Sequence, residues 1–373
     1  MNSDFYNFSC DFETPEATRK LTLYFYPRDN SMELYDLGMK RLFLKRSVVT
    51  DISLDDIYIG NKITVFGKTI LIRDYGNSET RRLMSNMKQR AFVMIKPEAR
   101  NFVGDIISVL ERHRLFVKQL KMLKLQALTA VQFCNTKTTD DNVSMLMDNI
   151  TSGQVVVVEV LGENAIEQLK KICGPSDVEE AKKNYPTSLR AMYGLDDIKC
   201  AVLFPEDAAE NIKDLEFFFP KTNDRLKVNA KFQRSTLAVI KPHAVKEGKV
   251  GAILKAINDN GFTITAMKMV HLDRKQCEDF FEIYKGVVGE YVQMVTQLQS
   301  GACLAIEVQG QDEDTQPTFR AFCGPADPHV AKILRPKTLR ALFGVEKVIN
   351  AVHCTDLRED TQLELEYFFK VLH

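Results

Sequence analysis

A histidine and a glutamate near the end of the chain, His353 and Glu364, have the residue types and the spacing for nucleophilic catalysis. His353 closes the segment 348–353, which is short, apolar and β-branched and therefore predicts a strand. A helix that folds back over this strand would bring the Glu364 carboxylate to one ring nitrogen and leave the other free to attack. A lone histidine among apolar residues is more often a satisfied core or surface group. The neighbouring sequence must therefore decide between the two interpretations.

The residues after His353 have the pattern of a helix start. Asp356 and Glu359 have the spacing of a capping box, and apolar Leu365 and Phe368 follow at helical positions. The N-terminus of such a helix favours anions through its free N–H groups and its dipole. The stretch therefore predicts an anion site beside the histidine.

The composition indicates a globular protein without a general affinity for nucleic acid or membrane. The chain has 373 residues, of which 45% are hydrophobic and 27% charged, which is enough for two or three domains. Its formal net charge is zero, so any phosphate site must be local. No basic and apolar leader opens the chain, and no apolar run is long enough to cross a bilayer. We expect an intracellular, soluble protein.

The cysteines do not have the spacing of a metal site, because no two of them form a CxxC pair. They are scattered along the chain at Cys10, Cys134, Cys173, Cys200, Cys277, Cys303, Cys323 and Cys354. We expect buried or free thiols in a reducing compartment, and no bound metal.

Residues 1–88 differ from the rest of the chain and predict a β-rich module. Turn signals at 27–30, Gly60 and Gly67 separate short β-rich runs, which are 21–26, 32–35, 42–44, 62–66 and 69–72. These runs predict a small antiparallel barrel or sandwich. The module contains no constellation of acids, bases or nucleophiles, so we interpret it as a binding module. The polar segment 77–90 predicts a linker or a linking helix.

The remainder of the chain repeats itself with a period of about 150 residues. The matching blocks recur in the same order: 92–97 with 237–242, 103–107 with 250–254, 152–160 with 300–308, 173–177 with 323–327, 188–194 with 338–344 and 215–219 with 365–369. Two homologous domains are therefore predicted, at 89–222 and 233–373, with a polar connection between them.

Strands and helices alternate in the predicted second repeat. The strands are expected at 236–241, 262–270, 302–308 and 348–353, and the helices at 249–259, 274–298, 314–322 and 357–369. Two successive βαβ units predict the split-βαβ, ferredoxin-like fold. The predicted class of the whole chain is α+β, with two ferredoxin-like domains preceded by a β-rich barrel or sandwich.

The motifs of the two repeats resemble those of the nucleoside diphosphate kinase family. These motifs are Ile-Lys-Pro after a strand, a Gly-Pro turn, Leu-Arg, and Asn-x-x-His before a helix with a glutamate. A module of the DM-ten type followed by two kinase-like domains resembles a branch of the family associated with cilia, axonemal microtubules and centrosomes. The resemblance implies phosphoryl exchange between nucleoside triphosphates and diphosphates through phosphohistidine, with Mg²⁺ on the nucleotide. Such transfer depends on positioning and charge neutralisation.

The resemblance assigns most of the family's site to the second repeat. It implies that His353 is the nucleophile, that Glu364 orients it, and that the Thr355 hydroxyl supports Glu364. The implied nucleotide-binding residues are Lys241 for the phosphates and ribose, Arg320 and Arg340 for the phosphates, Asn350 for the ribose, Phe281 in place of the tyrosine of the base sandwich, and Tyr291 or Met294 for its other wall. Arginine is suited to phosphate because its planar guanidinium donates bidentate hydrogen bonds.

Three residues of the second repeat depart from the family pattern. Ala326 stands where the family has a phosphate-contacting threonine, His243 replaces an aspartate after Lys-Pro, and Lys347 occupies a small apolar position near the base. The loss of one donor to developing charge costs about 2.7–4 kcal/mol at a preorganised site. We therefore expect attenuated turnover.

The first repeat lacks the nucleophile. Leu203 stands at the histidine position and Cys200 at the asparagine position, and the other replacements are Lys170 for an arginine and Asp214 for the glutamate. Leucine has no lone pair, so this domain is predicted to be silent. We interpret Cys200 as a buried thiol rather than a substitute nucleophile. Lys96 and Arg190 survive, and are interpreted first as solvated charges, with nucleotide anchors and partner contacts as alternatives.

Two functions follow from these observations. The first is a nucleoside diphosphate kinase whose second repeat alone is catalytic, with ATP or another triphosphate and a diphosphate as substrates. The second is a structural scaffold of ciliary or centrosomal microtubules, which contacts tubulin or ciliary and centrosomal proteins through residues 1–88 and the first repeat. The two are compatible, and the expected location is the cytoplasm and cytoskeleton, in the axoneme or centrosome. The repeats could also form an internal pseudo-dimer.

Overall fold

The computed structural model describes residues 4–14, 17–50, 52–135, 143–220, 225–311 and 315–372. Their buried side chains form three clusters, one in the N-terminal module and one on each face of a second sheet. Successive residues of one strand of that sheet alternate between its two clusters, Val93 in one and Phe92 and Met94 in the other, so both faces are covered. None of the helices within these ranges has the length and apolar content that a bilayer crossing requires.

The N-terminal module contains the antiparallel strands β1 (Tyr6–Glu13), β2 (Thr18–Tyr26), β3 (Ser31–Asp36), β4 (Arg41–Val48), β5 (Lys62–Val65) and β6 (Lys68–Tyr75). They lie side by side in the order β4-β3-β2-β1-β6-β5. The predicted β-rich antiparallel module is confirmed as a half-barrel, in which the edge strands β4 and β5 do not pair with each other within the described ranges. Strand β1 is not predicted from the sequence, although its buried Tyr6, Phe8 and Cys10 alternate with less buried residues, as in a half-buried strand.

Helix α1 (Ser78–Met87) lies where the linking helix is predicted. Asn77 caps it, because its side-chain oxygen accepts a hydrogen bond from the Thr80 N–H at 2.7 Å. Met84 is fully buried in the core of the N-terminal module. The helix is therefore packed against the module and is not a free spacer.

Each repeat is built from four strands with helices on the sheet faces. The first contains β7 (Gln89–Ile95), α2 (Val103–Arg112), β8 (Phe116–Leu123), α3 (Ala127–Cys134), α4 (Val143–Ser152), β9 (Val155–Gly162), α5 (Ala165–Cys173), α6 (Val178–Asn184), α7 (Leu189–Tyr193), β10 (Val202–Leu203) and α8 (Ala208–Phe218). The second contains β11 (Ser235–Ile240), α9 (Pro242–Lys246), α10 (Val250–Asp259), β12 (Thr263–His271), α11 (Arg274–Phe280), α12 (Tyr291–Gln299), β13 (Ala302–Gln309), α13 (Thr315–Cys323), α14 (Pro328–Leu334), α15 (Leu339–Phe343), β14 (Val352–Cys354) and α16 (Thr361–Glu366). Within each repeat the strands lie antiparallel in the order fourth, first, third, second, which confirms the ferredoxin-like fold.

Several elements of the second repeat differ from the prediction. The helix predicted at 274–298 is divided into α11 and α12, and Gly286, whose φ is +76°, lies in the turn between them. The strand predicted at 348–353 is reduced to β14, because Ala351 takes a left-handed φ of 69° and interrupts the extended backbone. The short helices α9, α14 and α15 are not predicted from the sequence.

The two repeats share one eight-stranded sheet. Strand β8 pairs with β12 where Lys121 faces Lys268, and the order across the sheet is β10-β7-β9-β8-β12-β13-β11-β14. Helices α2 and α10 pack together over this junction. Each has a glycine at the contact, Gly104 and Gly251, and a Cβ atom on either glycine would overlap the backbone of the facing helix. The repeats therefore pair with each other within the chain, as the pseudo-dimer hypothesis expects.

A buried carboxylate forms part of this junction. Glu111, near the end of α2, accepts hydrogen bonds from the N–H groups of Val250 at 3.2 Å and Gly251 at 2.9 Å, which open α10. Burial raises the pKa of Glu111 to about 7, against the effect of these hydrogen bonds. On the other helix Asn258 donates a hydrogen bond to the Asn101 carbonyl at 3.2 Å. The junction is thus similar in shape on its two sides but different in charge.

The N-terminal module contacts both repeats. Asp56 accepts a hydrogen bond from Lys246 of α9 at 2.8 Å. Lys118 of β8 lies over the Tyr58 ring, 4.9 Å from its centroid. The module is therefore held against the two repeats by side chains as well as by the connection through α1.

We expect Gly104→Ala to destabilise the chain, although alanine normally favours a helix over glycine. The added methyl group meets the backbone of α10, which cannot move aside as a flexible side chain can. The expected loss is roughly 1–3 kcal/mol in the free energy of unfolding, measured by denaturant titration. Gly289→Ala is the matched control, because a Cβ atom there meets nothing within 4 Å. A Gly104→Ala protein as stable as the wild type would contradict the close contact.

Glu111→Gln should alter how the stability depends on pH. Since the folded pKa of about 7 lies above the ordinary value of 4.5, the favourable contribution of Glu111 is complete below pH 4.5 and is lost as pH rises through 7. The difference between these two pKa values corresponds to a loss of up to about 3 kcal/mol in the free energy of unfolding. The free energy of unfolding should therefore decrease with pH more steeply in the wild type than in Glu111→Gln. Parallel pH profiles for the two proteins would show that Glu111 does not titrate in this range.

Candidate active site

His353, Glu364 and Thr355 form a buried hydrogen-bonded row in the second repeat. The Nε2 atom of His353 lies 3.1 Å and 3.3 Å from the two carboxylate oxygens of Glu364. The Thr355 hydroxyl donates to the same carboxylate at 2.7 Å. A neutral His353 that donates its Nε2–H to Glu364 keeps the lone pair of Nδ1 free. The geometry expected from the spacing of histidine and glutamate is therefore present.

Two phenylalanines pack edge-on against the His353 ring. The ring centroids of Phe280 and Phe281 lie 5.1 Å and 5.9 Å from that of His353. Phe281 is only 1% exposed, so it offers no open face on which a base could stack, and its assignment to the base sandwich is not supported. Tyr284, three residues on, is partly buried, and its hydroxyl donates to Asp356 at 2.7 Å. Met294 and Tyr291 lie on α12 with partly exposed side chains.

The predicted capping box at Asp356 and Glu359 is wrong. The Asp356 carboxylate binds the Tyr284 hydroxyl and the Arg320 guanidinium, the latter at 3.2 Å, and does not cap a helix. A 3₁₀ turn (Arg358–Asp360) comes first, and α16 then starts without a side-chain cap. Burial by itself would raise the pKa of Asp356, but the hydrogen bond from Tyr284 and the charge of Arg320 lower it. Asp356 is therefore a site residue.

The cationic side chains of the site differ in their exposure to solvent. Lys241 and Arg340 are buried, 5% and 8% exposed, whereas Arg320 is about half exposed beside Asp356. The Lys241 Nζ atom donates to the Val348 carbonyl at 3.0 Å. Burial, together with the charge of Arg340, lowers the pKa of Lys241 to about 7.

Arg340 binds the backbone on both sides of the site. Its Nη1 donates to the Gly324 carbonyl at 2.9 Å and its Nε to the Val352 carbonyl at 3.1 Å. Its Nη2 lies 3.6 Å from the Cys354 sulfur. Arg340 therefore connects the turn after α13 to the strand that carries His353.

The side-chain amide of Asn350 uses its nitrogen in a hydrogen bond, whereas its oxygen is unpaired in the described structure. Its Nδ2 donates to the Ala326 carbonyl at 3.0 Å. Its Oδ1 is buried and has no hydrogen-bond partner in the described structure. An unpaired buried acceptor is costly and suits a ligand hydroxyl. Lys347 points elsewhere and forms an ion pair with Glu290 at 2.7 Å.

The histidine that departs from the family pattern contacts the backbone next to the nucleophile. The Nε2 atom of His243 accepts a hydrogen bond from the Ala351 N–H at 3.2 Å. Burial and the charge of Lys241 lower the pKa of His243 to about 4, so its ring is neutral at neutral pH. The replacement of aspartate by histidine therefore preserves an acceptor.

The first repeat keeps the same scaffold around a missing nucleophile. The Lys96 Nζ atom donates to the Ile198 carbonyl at 2.7 Å and to the Cys200 sulfur at 3.1 Å. Arg190 donates to the Gly174 carbonyl at 2.9 Å, as Arg340 does to Gly324. The interpretation of Lys96 and Arg190 as solvated charges is wrong, because Lys96 is 2% exposed and both bind backbone carbonyls.

Some residues near His353 are missed by the sequence analysis. Gln316 donates to the carbonyls of Thr355 and Asp356 at 2.8 Å and 3.1 Å and fixes the exit of β14. Cys354 follows His353, and a hydrogen bond with Cys323, together with the charge of Arg340, lowers the pKa of the Cys354 thiol. Only its position beside His353 could have drawn attention to Cys354.

The cysteines and the possible metal ligands are considered next to the active-site residues. All eight cysteines are buried, which agrees with the prediction of buried thiols. Among the described residues, no group of three or more histidine, cysteine, aspartate and glutamate side chains could hold a metal ion.

Comparison with known proteins agrees with the motifs and the fold. The family model of nucleoside diphosphate kinase matches residues 89–223 and 234–372. "Nucleoside diphosphate kinase homolog 7" of Mus musculus is 42% identical over 99% of this chain and 94% of its own length. The protein of the same description from Rattus norvegicus is 41% identical over the same shares.

A more distant relative shares a smaller part of the chain. "Thioredoxin domain-containing protein 3" of Homo sapiens is 28% identical over 72% of this chain and 44% of its own length. The two kinase-type matches together cover most of the chain, and the rodent relatives align along nearly all of it. The resemblance drawn from the motifs is confirmed. The chain belongs to the nucleoside diphosphate kinase family.

Proposed function

We propose that the chain is a nucleoside diphosphate kinase in which only the second repeat is catalytic. The observation that supports this most directly is the buried contact between His353 Nε2 and Glu364, which leaves Nδ1 as the free nucleophile. Nδ1 attacks the γ-phosphorus of a nucleoside triphosphate, and the bond to the bridging oxygen breaks as the diphosphate leaves. A terminal phosphate oxygen of a second nucleoside diphosphate then attacks the phosphohistidine and regenerates His353.

The neighbouring groups have distinct tasks in this reaction. Arg320 and Arg340 neutralise the transferring phosphoryl group, and Lys241 holds the phosphates. Mg²⁺ arrives with the nucleotide as part of the substrate and shields its charge. The unpaired Oδ1 of Asn350 accepts a ribose hydroxyl. Glu364 stabilises the imidazolium character that develops as the N–P bond forms.

The same geometry explains why turnover is expected to be attenuated. Ala326 has no hydroxyl to offer a phosphate. Lys241 and Arg340 are engaged by backbone carbonyls and must exchange part of these contacts for phosphate oxygens. Phosphoryl transfer in the first repeat is excluded by Leu203, which has no nucleophilic atom.

The scaffold hypothesis is kept as the second candidate. It is favoured by the first repeat, which keeps the strand order of the second repeat but has Leu203 where the second has His353. In this proposal residues 1–88 and the first repeat contact tubulin or other ciliary and centrosomal proteins, and the setting is the axoneme or centrosome. The following experiment separates a working kinase from a protein that is a scaffold alone.

His353→Ala should abolish phosphorylation of the protein by a γ-labelled triphosphate. We expect an acid-labile, base-stable label on Nδ1 of His353 in the wild type, and its transfer to an added nucleoside diphosphate. His329→Ala is the matched control, because His329 is exposed on α14, and this variant should keep the label. Equal labelling of wild type and His353→Ala would refute the nucleophile, and the absence of label from both would favour the scaffold.

Triphosphate affinity should decrease as pH rises above about 7. Phosphate binding favours the charged form of Lys241, whose pKa is about 7 in the free site, so deprotonation weakens binding. The dissociation constant for ATP, measured by calorimetry in a His353→Ala background, should increase by about tenfold for each pH unit once Lys241 is deprotonated. Lys241→Gln should remove this pH dependence. Arg320→Gln should lower the affinity for ATP but leave its pH dependence unchanged. A dissociation constant that does not change between about pH 7 and 9 in the protein with only the His353→Ala change would show that Lys241 does not titrate there.

A further inference from the structure

The residue two places before the nucleophile is an alanine in a conformation that alanine rarely adopts. Ala351 has a φ of 69°, in the left-handed region, and is fully buried. Its carbonyl accepts a hydrogen bond from the Lys241 N–H at 2.9 Å, and its own N–H donates to His243 Nε2 at 3.2 Å. The segment 241–243 therefore forms hydrogen bonds with both the backbone carbonyl and the backbone N–H of Ala351.

The hydrogen bonds of His243 define its tautomer. An Nε2 atom that accepts from Ala351 requires the ring proton on Nδ1. Nδ1 lies 2.9 Å from the side-chain amide of Gln297, whose Oε1 has no hydrogen-bond partner in the described structure. The two observations are reconciled when the Gln297 amide presents its oxygen to Nδ1–H. Gln297 then keeps the His243 ring oriented with its acceptor atom toward Ala351.

The first repeat contains the same arrangement with a different acceptor. Ala201 has a φ of 67°, its carbonyl accepts from the Lys96 N–H at 2.8 Å, and its N–H donates to the Glu98 carboxylate at 3.0 Å. Glu98 and His243 occupy equivalent positions after Lys-Pro. The backbone turn thus needs an acceptor at this position in both repeats, and the second repeat supplies it with a neutral ring.

We propose that His243 is a positioning residue for phosphoryl transfer. By holding the backbone turn at Ala351, His243 fixes the orientation of the His353 ring. The proposal rests on the proposed kinase function. Without an acceptor, the buried Ala351 N–H is left unpaired and the strained turn loses one of its two restraints. His353 follows two residues later, so a change in this turn alters the direction of Nδ1 toward the phosphorus. Such misalignment lowers the rate of transfer more than it lowers nucleotide binding.

The test compares His243→Leu, which has no acceptor, with His243→Glu, which introduces the residue of the first repeat. We expect kcat for phosphate exchange to fall by about tenfold in His243→Leu with little change in KM, and to recover in His243→Glu. Glu98→Leu is the matched control, because it removes the same acceptor from the silent repeat and should leave kcat unchanged. If the effect were only a loss of stability, kcat would fall in Glu98→Leu as well as in His243→Leu, and His243→Glu would not restore it.

A second measurement reports on the turn without using catalysis. Hydrogen exchange of the Ala351 amide, followed by NMR in the full chain labelled with ¹⁵N-alanine, should be faster in His243→Leu than in the wild type or His243→Glu. Unchanged kcat and unchanged Ala351 exchange in His243→Leu would overturn the positioning role while leaving the kinase proposal intact. A wild-type protein without His353-dependent exchange activity would overturn the kinase proposal, and the positioning role with it.

Discussion

The backbone between Val348 and Val352 is the constraint on which the site depends. Two buried cations bind its carbonyl groups, Lys241 at Val348 and Arg340 at Val352, and the 241–243 segment binds both polar groups of Ala351. This backbone enters β14 with the His353 ring already oriented toward Glu364. Charged side chains that would serve phosphate binding thus also hold the protein's own main chain. The energy of these contacts supports a turn that is unfavourable by itself.

The same constraint accounts for two cationic residues of the first repeat. Lys96 and Arg190 bind the backbone as Lys241 and Arg340 do, so their loss would leave buried carbonyls unpaired. His353 has no such contact to replace, because Leu203 fills the equivalent place in β10 and still pairs with β7. The presence of Lys96 and Arg190 in the first repeat is therefore no evidence that this repeat binds a ligand.

The sequence predicts the repeated architecture and the histidine–glutamate pair, because hydrophobic periodicity and spacing along the chain determine both. It does not reveal which nearby aromatic is buried, since Phe281 and Tyr284 differ only by about one helical turn. Nor does it distinguish a helix cap from an ion pair at Asp356, because the same carboxylate can serve either and the choice depends on Arg320 and Tyr284 from distant elements. Hydrogen bonds between residues that are far apart in the chain produce no local pattern in the amino-acid sequence.

The junction between the repeats has a consequence for how the protein behaves on dilution. The glycine contacts of α2 and α10 and the pairing of β8 with β12 join two halves that are covalently linked. Their association is therefore intramolecular and independent of protein concentration, whereas an interface between separate chains weakens by mass action. A cell that holds only a few copies of this chain would therefore still contain the two repeats packed against each other.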